Sequence, residues 1–287
     1  MNIIGLGRAG NEIAKNFENY EQYKVFYIDT EDKGYDLGLL GDPDRGTFLK
    51  VKEQDSHEEY EKNYKKLNLS NCKGPCTFIT CGAGKISGIA LRVLQQINKN
   101  LINIIYIKPD DTQLANDVLL RERATLGILQ EYTRSGLFNK MYIVSNSKVE
   151  QVLDNLSLKN YWQDINNVIS STYHMLNVFE NTEPLLTTLV PENETARIGT
   201  FGVVNFDTNN EKLFYDLQHP RTIKYFYGVK QELMGNNRDL LHNIRKFVEE
   251  RTDENTHAGF SIYNTEYKNN YVYSIHYASY IQEQNIK

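Results

Sequence analysis

The sequence is poor in several features that would define whole classes of protein. It has one tryptophan, six prolines and three cysteines in 287 residues. Cys72, Cys76 and Cys81 lie close together without a second pair or a histidine cluster, so we expect reduced thiols and no metal site. No run of about 18 apolar residues is present, and the chain opens on a strand-like segment. We therefore expect no membrane span and no signal peptide.

A surplus of basic residues is also missing. The formal net charge is −5, and acidic neighbours offset the lysines of residues 62–66. A protein that coats nucleic acid needs cations to neutralise phosphates, so we do not expect a nucleic-acid partner. The chain is 24% charged and 40% hydrophobic, which is close to a globular average. These features together predict a cytoplasmic protein of about two domains.

Strand and helix patterns alternate through the first half of the chain. Ser56 is a candidate helix N-cap, with Glu59 three residues later to complete a capping box. Residues 35–52, rich in Gly and Asp, are predicted to be a loop. The alternation predicts an α/β fold whose Rossmann-like parallel sheet is covered on both faces. Strands are predicted at 2–4, 24–29, 77–80, 104–107 and 141–144, and helices near 8–17, 56–67, 89–97 and 119–132.

The pattern changes in the second half. Residues 162–179 predict one long central helix, and the alternation of residues 271–281 predicts a strand that is antiparallel to residues 259–263. Further strands are predicted at 198–206 and 223–229, and a helix at 238–250. We therefore expect a nucleotide-binding domain at residues 1–180, which includes the long helix, and a smaller α+β domain at residues 181–287.

A first glycine turn lies between a predicted strand and a predicted helix. Gly5, Gly7 and Gly10 have the spacing G-x-G-x-x-G, which lets a phosphate approach the backbone and the start of a helix. Asp29 ends the next strand and would suit the ribose of NAD in a Rossmann domain. The turn is therefore compatible with a nucleotide site, or with glycines that serve only helix–strand packing.

A second glycine turn, at residues 81–88, also follows a strand and opens a helix. Two such turns at the ends of two strands can close on one polyphosphate, whereas a dinucleotide site needs only the first. Lys85 could place its charge on a terminal phosphate, or it could be an ordinary surface lysine. Ser87 could offer its hydroxyl to phosphate or Mg²⁺.

These segments and their order resemble the tubulin/FtsZ superfamily of GTP-binding cytoskeletal proteins. IIGLGRAGNEIA is similar to the first nucleotide loop of that family, and TFITCGAGKISGIALRVLQQI stands where it has its hallmark glycine-rich loop. MYIVSNSKVEQVL and the long helix resemble the segments that follow. The resemblance implies that GTP or GDP, with Mg²⁺ as a candidate ion, is bound by Gly5, Gly7, Arg8, Ala9, Gly10, Asn11, Asp29, Gly82, Ala83, Gly84, Lys85, Ser87, Gly88, Arg121 and Asn167.

The sequence departs from the family at several of these positions. Lys85, Ile86 and Ser87 replace a Thr, a Gly and a Thr, and the branched Ile86 would clash with phosphate or force another loop path. Asn167 stands where an acidic residue reads the guanine in bacterial members, and an amide can present both a donor and an acceptor. Arg121 and Arg123 are the nearest candidates for the family's basic contact, or they form a solvated helix face.

The family hydrolyses GTP when one subunit supplies acids, from a loop after its core helix, to the nucleotide of its neighbour. The segment of this chain that is nearest to that loop is residues 205–210, NFDTNN, followed by Glu211. Asp207 and Glu211 are its candidate catalytic acids. An equally good interpretation makes residues 207–210 the turn after a strand. The resemblance implies head-to-tail filaments, with an adaptor protein as a candidate partner. Two alternatives stay open: a relative with weak or lost hydrolysis and a structural role, and an NAD(P) oxidoreductase in which His174 is the candidate catalytic histidine.

Overall fold

Six short strands from the first half of the chain form a parallel sheet in the computed structural model. The structure describes residues 1–32, 46–97, 101–153, 157–189, 194–235 and 238–282. The strands lie in the order β3-β2-β1-β4-β5-β6, so successive strands are added on one side of β1 up to β3 and on its other side from β4 onward. The strands are β1 (Asn2–Leu6), β2 (Lys24–Asp29), β3 (Gly46–Lys50), β4 (Cys76–Thr80), β5 (Ile102–Lys108) and β6 (Lys140–Ser145).

Helices cover both faces of this sheet. Apolar residues of α1 and α6, such as Ile13 and Ile169, form one buried layer, and those of α3 and α4, such as Val93 and Leu126, form the other. The doubly covered α/β sheet predicted from the sequence is therefore confirmed. The helices are α1 (Gly7–Lys15), α2 (His57–Lys62), α3 (Ala90–Gln96), α4 (Asn116–Arg134), α5 (Asn146–Glu150) and α6 (Tyr161–Glu180).

The second half of the chain extends the same sheet. β8 is parallel to β6, and β12, β10, β11 and β7 follow it in that order. Ile244 and Phe247 of α8 pack against β10 and β11 in a third apolar cluster. The elements are β7 (Leu186–Thr187), β8 (Ile198–Val204), β9 (Glu211–Leu213), β10 (Pro220–Lys230), α7 (Gln231–Met234), α8 (Arg238–Glu249), β11 (His257–Thr265) and β12 (Tyr271–Ala278).

The structure differs from the sequence expectations in two places. β11 and β12 do not pair with each other, because β10 lies between them, parallel to β11 and antiparallel to β12. Residues 46–50, predicted to be loop, form the edge strand β3 beside β2; residues 33–45 of that predicted loop lie outside the described residues. The sheet is continuous across residue 180, so the division into two domains stays a prediction.

The long helix α6 connects the two edges of the sheet. At its start, the Tyr161 hydroxyl donates to Glu150 of α5, which follows the carboxyl end of β6. Farther along, the Tyr173 hydroxyl is 2.6 Å from that of Thr77, near the amino end of β4. The carboxyl end of α6 therefore lies at the amino edge of the sheet, opposite to the edge where β1 and β4 end.

Candidate nucleotide-binding site

The two glycine turns meet at the carboxyl edge of the sheet. They follow β1 and β4, the neighbouring strands between which the strand order reverses, and open α/β sheets bind ligands at this position. A Cβ atom added to Gly7 would lie 2.8 Å from Cγ2 of Ile86, so the backbone of the first turn touches a side chain of the second. The convergence predicted from two separate sequence segments is therefore present in the fold.

The first turn presents the uncapped start of α1. Gly7 has φ +68°, a left-handed conformation that favours glycine. No side chain caps the helix, and its first turn has no acidic residue, so its amide groups and positive dipole end are available to an anion. Gly10 has another role, because a Cβ there would lie 2.3 Å from the carbonyl oxygen of Ile79 in β4. Gly10 thus allows close packing of α1 on the sheet.

Asn11 is the buried polar residue of this turn. Its Nδ2 donates to the carbonyl of Ile28 at 3.2 Å and lies 3.5 Å from Oδ2 of Asp29, at the end of β2. Its Oδ1 has no hydrogen-bond partner among the described residues, and a Cβ on Gly5 would come within 2.5 Å of it. A buried carbonyl oxygen without a donor is a position where a bound ligand can supply one. Arg8 is exposed and Ala9 is half-buried.

The second turn continues into a 3-10 helix, Lys85–Ile89, before α3. Gly84 and Lys85 are exposed and Ala83 is half-buried, so this part of the turn is accessible. The Ser87 hydroxyl is buried, and it lies 3.0 and 2.7 Å from the carbonyl oxygens of Gly82 and Gly84, which accept its hydrogen bond. Ser87 therefore stabilises the turn itself, and its predicted contact with phosphate or Mg²⁺ stays a prediction.

Gly82 and Gly88 pack the second turn against its neighbours. A Cβ at Gly88 would lie 2.1 Å from the carbonyl oxygen of His57 in α2, and one at Gly82 would lie 2.2 Å from the hydroxyl of Tyr106. A Cβ at Gly84 would be 3.8 Å from Ile86 and would meet nothing closer. Gly84 is thus the glycine of this turn that faces open space, where a phosphate could approach.

A buried cluster of ionisable side chains, formed by Tyr106, Glu122 and Lys108, packs against the second turn at Gly82. The Glu122 side chain is fully buried and accepts a hydrogen bond of 3.0 Å from Tyr106, and Nζ of Lys108 lies 3.9 Å from its other oxygen. Burial, followed by the charge of Glu122, raises the pKa of the Tyr106 hydroxyl well above its usual range. Sequence reasoning missed Glu122, because in the run RER it resembled an exposed charged helix face. Lys108, at the end of a buried strand, was the available signal.

Arg121 and Arg123 flank Glu122 on α4. The Nε atoms of both are buried and have no hydrogen-bond partner among the described residues, while Arg121 also lies 3.7 Å from Asp117. The interpretation of these two residues as a fully solvated helix face does not hold. Their predicted contact with the nucleotide stays a prediction.

Asn167 is exposed on α6, which runs beside α1. Asn16, at the end of α1, donates to Ser170 of α6 at 3.0 Å, so the two helices run side by side. Trp162, the single tryptophan, lies near the start of α6 and is 60% exposed. Trp162 is not among the site residues predicted from the sequence, although its place at the start of the long helix was a usable signal.

The two candidate catalytic acids lie in the hairpin between β8 and β9. Oδ1 of Asn205 accepts hydrogen bonds from the amides of Asp207 and Thr208, an Asx turn, and Asn209 has φ +58°. β8 is parallel to β6, so this hairpin projects from the same edge as the glycine turns. The hydrogen bonds fit the alternative interpretation of residues 207–210 as a turn.

Glu211 belongs to a polar cluster within the second half of the sheet. Its carboxylate accepts hydrogen bonds from Ser274 at 2.5 Å and Tyr225 at 3.1 Å, and it lies 2.8 Å from Nε2 of His276. Burial raises the pKa of the Glu211 carboxyl, but the hydrogen bonds and the charge of His276 outweigh burial and hold this pKa below its usual range. Residues of β10 and β12 therefore hold this carboxylate of β9 as a structural contact. Its catalytic role stays a prediction.

His174 lies far from the glycine turns. Its ring stacks on Tyr20 at 3.6 Å between centroids, and its Nδ1 lies 3.1 Å from the hydroxyl of Tyr23, which precedes β2 at the amino edge of the sheet. Burial lowers the pKa of His174. The position fits a half-buried, hydrogen-bonded histidine, and it is too far from the glycine turns for His174 to act on a cofactor bound there.

Comparison with protein-family models and with curated protein sequences finds no match. Solved structures do match over nearly the whole chain. An FtsZ dimer of M. jannaschii is 12% identical with a TM-score of 0.66, and the match covers 96% of this chain and 87% of that one. A TubZ protofilament of Bacillus thuringiensis serovar israelensis is 16% identical with a TM-score of 0.65, and the match covers 97% of this chain and 87% of that one. CetZ2 of Haloferax volcanii is 11% identical with a TM-score of 0.66, and the match covers 96% of this chain and 92% of that one. The chain therefore has a tubulin/FtsZ-like fold. No described helix is long and apolar enough to cross a membrane.

Proposed function

We propose that this chain is a GTP-binding protein that assembles head to tail into cytoskeletal filaments. The observation that carries the proposal is the convergence of two glycine turns at the point where the sheet order reverses, with Gly7 against Ile86. The uncapped start of α1 and the open backbone at Gly84 would hold the phosphates. Asn11 and Asp29 would face the sugar, and Trp162 and Asn167 of α6 would face the base.

The positions of the two ends of α6 support head-to-tail assembly. Its start lies beside the proposed nucleotide site, and its end lies at the opposite edge of the sheet. A subunit stacked along this direction would cover the nucleotide of its neighbour with its own far edge, and such a heterologous contact repeats without closing. The structures of similar fold include a GTPγS-form protofilament of TubZ and a GTPγS-bound protofilament of CetZ2, which supports this arrangement.

The acids that complete hydrolysis would then come from the end of α6. Glu180 is the last residue of the helix and Glu183 follows it, and both are exposed. Asp207 and Glu211 lie at the other edge, where they cannot reach the nucleotide of a neighbour stacked in this way. We therefore assign to Glu180 and Glu183 the role of polarising the attacking water at the neighbour's terminal phosphate.

A variant of this function, in which the filament forms but hydrolysis is weak, has specific support. The Ile86 side chain occupies space between the two turns, and the Ser87 hydroxyl is engaged by carbonyls of its own turn. Both features leave fewer groups to stabilise charge on the terminal phosphate. The two versions share the nucleotide site and the filament, and they differ in turnover.

Sedimentation and phosphate release with GTP test the proposal together. Wild-type protein should pellet with GTP, and Glu180→Gln/Glu183→Gln should pellet as well while releasing phosphate at least tenfold more slowly. Gly84→Val should neither pellet nor release phosphate, whereas Gly127→Ala, a glycine with open space around its Cβ position, should behave as the wild type. Pelleting without release would favour the weak-hydrolysis version. Protein that stays monomeric with GTP and binds NADH would overturn the proposal.

A further inference from the structure

An apolar stripe runs along the outer face of α4. Leu120, Ala124, Ile128 and Tyr132 follow one another at a spacing of four residues, and all four are exposed. Leu120 is 67% exposed, Ile128 44% and Tyr132 41%. Leu126 and Leu129, on the inner face of the same helix, already supply its contact with the sheet. Much of the outer stripe therefore faces solvent in the single chain, although Tyr132 also packs against Phe138, and apolar rows of this kind mark contact surfaces.

The stripe is self-complementary when two copies of α4 pair in opposite directions. Pairing centred on residue 126 sets Ala124 opposite Ile128 and Leu120 opposite Tyr132. The same pairing brings Asp117, near the start of one helix, beside Arg134, near the end of the other. Both side chains are largely exposed, and each is also ion-paired within its own helix, Asp117 with Arg121 at 3.7 Å and Arg134 with Glu131 at 3.2 Å. Parallel pairing would put like charges together, and it would align the helix dipoles unfavourably. Charge and shape thus both favour a two-fold contact.

A groove next to Tyr132 offers a place for Leu120 of the other copy. The groove has a volume of about 320 Å³, and its lining combines the apolar side chains of Leu91, Leu94, Tyr132, Leu137 and Phe138 with the polar ones of Glu61, Arg92 and Gln95. Tyr132 is held edge-on against Phe138, with ring centroids 6.1 Å apart, so its position is fixed. An exposed leucine set level with Tyr132 by the two-fold pairing would enter this groove, and the contact would occur twice.

We infer that α4 is a lateral contact between two copies of this chain that point in opposite directions. α4 connects the parallel strands β5 and β6, so it runs along the strands and along the proposed filament direction. The inference rests on the proposed function in one respect: in filaments, α4 pairs would join two filaments of opposite polarity. A single pair of α4 helices is a small contact beside the roughly 1,000 Å² at which specific interfaces begin, so repetition along two filaments would add to its strength.

Cysteine cross-linking tests the contact directly. An Ala124→Cys protein mixed with an Ile128→Cys protein should give a disulfide-linked dimer under copper–phenanthroline oxidation. Each variant alone should give several-fold less, because antiparallel pairing offsets equal positions along the helix beyond disulfide reach. The wild type, whose three cysteines are buried or half-buried, is the control. Equal-position cross-links would show parallel pairing, and no dimer above the wild-type control would also overturn the inference.

Charge reversal and electron microscopy separate this inference from the proposed function. Leu120→Arg should form single filaments with GTP where the wild type forms paired ones, at unchanged phosphate release, and Asp117→Arg should form single filaments as well. Asp117→Arg/Arg134→Asp should restore pairing, because the opposite charges meet again. If filaments form and these variants still pair, the inference fails alone. If the wild type forms no filaments, the proposed function fails, and the cross-linking result still decides whether α4 is a contact.

Discussion

Ile86 is the residue at which this chain departs most clearly from a simple phosphate site. Its Cγ2 atom would touch a Cβ on Gly7, so an apolar side chain stands between two backbones that would otherwise both face the phosphates. We predict that Ile86→Ala raises GTP affinity several-fold, because shortening the side chain opens this space. Equilibrium binding measured by fluorescence of Trp162 checks it, with Lys85→Ala, which removes an exposed charge beside it, as the comparison. A weaker affinity in Ile86→Ala would show that Ile86 contributes to the site.

Glu211 allows a structural and a catalytic role to be told apart. We predict that Glu211→Gln lowers the free energy of unfolding by about 1–3 kcal/mol at pH 7, because a carboxylate with several hydrogen-bond donors loses its charge. The folded pKa of Glu211 lies below its unfolded value, so the stabilisation is present above about pH 4.5 and disappears as the pH falls through the folded pKa. The wild type and the variant should therefore converge in acid.

Chemical denaturation from pH 7 to pH 3 measures this difference. Asp207→Asn, in the exposed turn, is the matched control and should change stability by less than about 0.5 kcal/mol. If Glu211→Gln kept full stability and lost only phosphate release, the catalytic role would be correct after all.

At the scale of single residues, the sequence predicted those features of the candidate site that depend on neighbours in the chain. The glycine spacing located both turns, since a glycine requirement is set by the backbone of the turn itself. The contact of Ile86 with Gly7, and the cluster around Glu211, join segments that are distant in the chain. No periodicity in the sequence indicates such contacts, so the hydrogen bonds of Glu211 within the sheet were not predicted, whereas Ile86 was singled out as a departure from the family pattern.

At the scale of elements, the short helix α2 packs against the second glycine turn of the candidate site. Ser56 caps this helix and accepts a hydrogen bond from the amide of Glu59 at 3.2 Å, as predicted. The carbonyl of His57, in the first turn of the helix, lies against Gly88 of the second glycine turn. We predict that Ser56→Ala lowers the free energy of unfolding by about 1 kcal/mol and weakens GTP binding, because the 3-10 helix loses its support.

Thermal unfolding and nucleotide titration check this prediction. Ser56→Asp keeps a capping oxygen and should retain both properties, and Ser70→Ala, an exposed serine outside any helix, should change neither. A Ser56→Ala protein that lost stability but bound GTP as the wild type does would show that α2 does not support the turn.

Element order was predictable in the first half of the chain and less so in the second. Alternating strands and helices with short connections leave few topologies, so the parallel sheet was predicted. β3 was missed because its five residues follow a Gly- and Asp-rich segment and give little periodicity. The position of β10 between β11 and β12 depends on pairing among distant segments, and the alternation within each strand does not encode its neighbour.

For the whole molecule, head-to-tail assembly makes the two edges of the sheet unequal. A Gly84→Val subunit would lose its nucleotide but keep its far edge. We predict that this variant, mixed at about one part in ten with wild-type protein, reduces filament mass by much more than a tenth, because each bound copy ends a growing filament. Light scattering measures the filament mass, and Gly127→Ala at the same ratio is the control. A loss in proportion to dilution would contradict polar growth.

The most direct measurement of the central claim is calorimetric titration of the wild type and Gly84→Val with GTPγS and, separately, with NADH. We predict one GTPγS bound per wild-type chain, at least tenfold weaker binding to Gly84→Val with unchanged thermal stability, and no NADH binding to either. Equal GTPγS affinity in the two proteins, or NADH binding in place of GTPγS, would contradict the assignment of the two glycine turns to one guanine-nucleotide site.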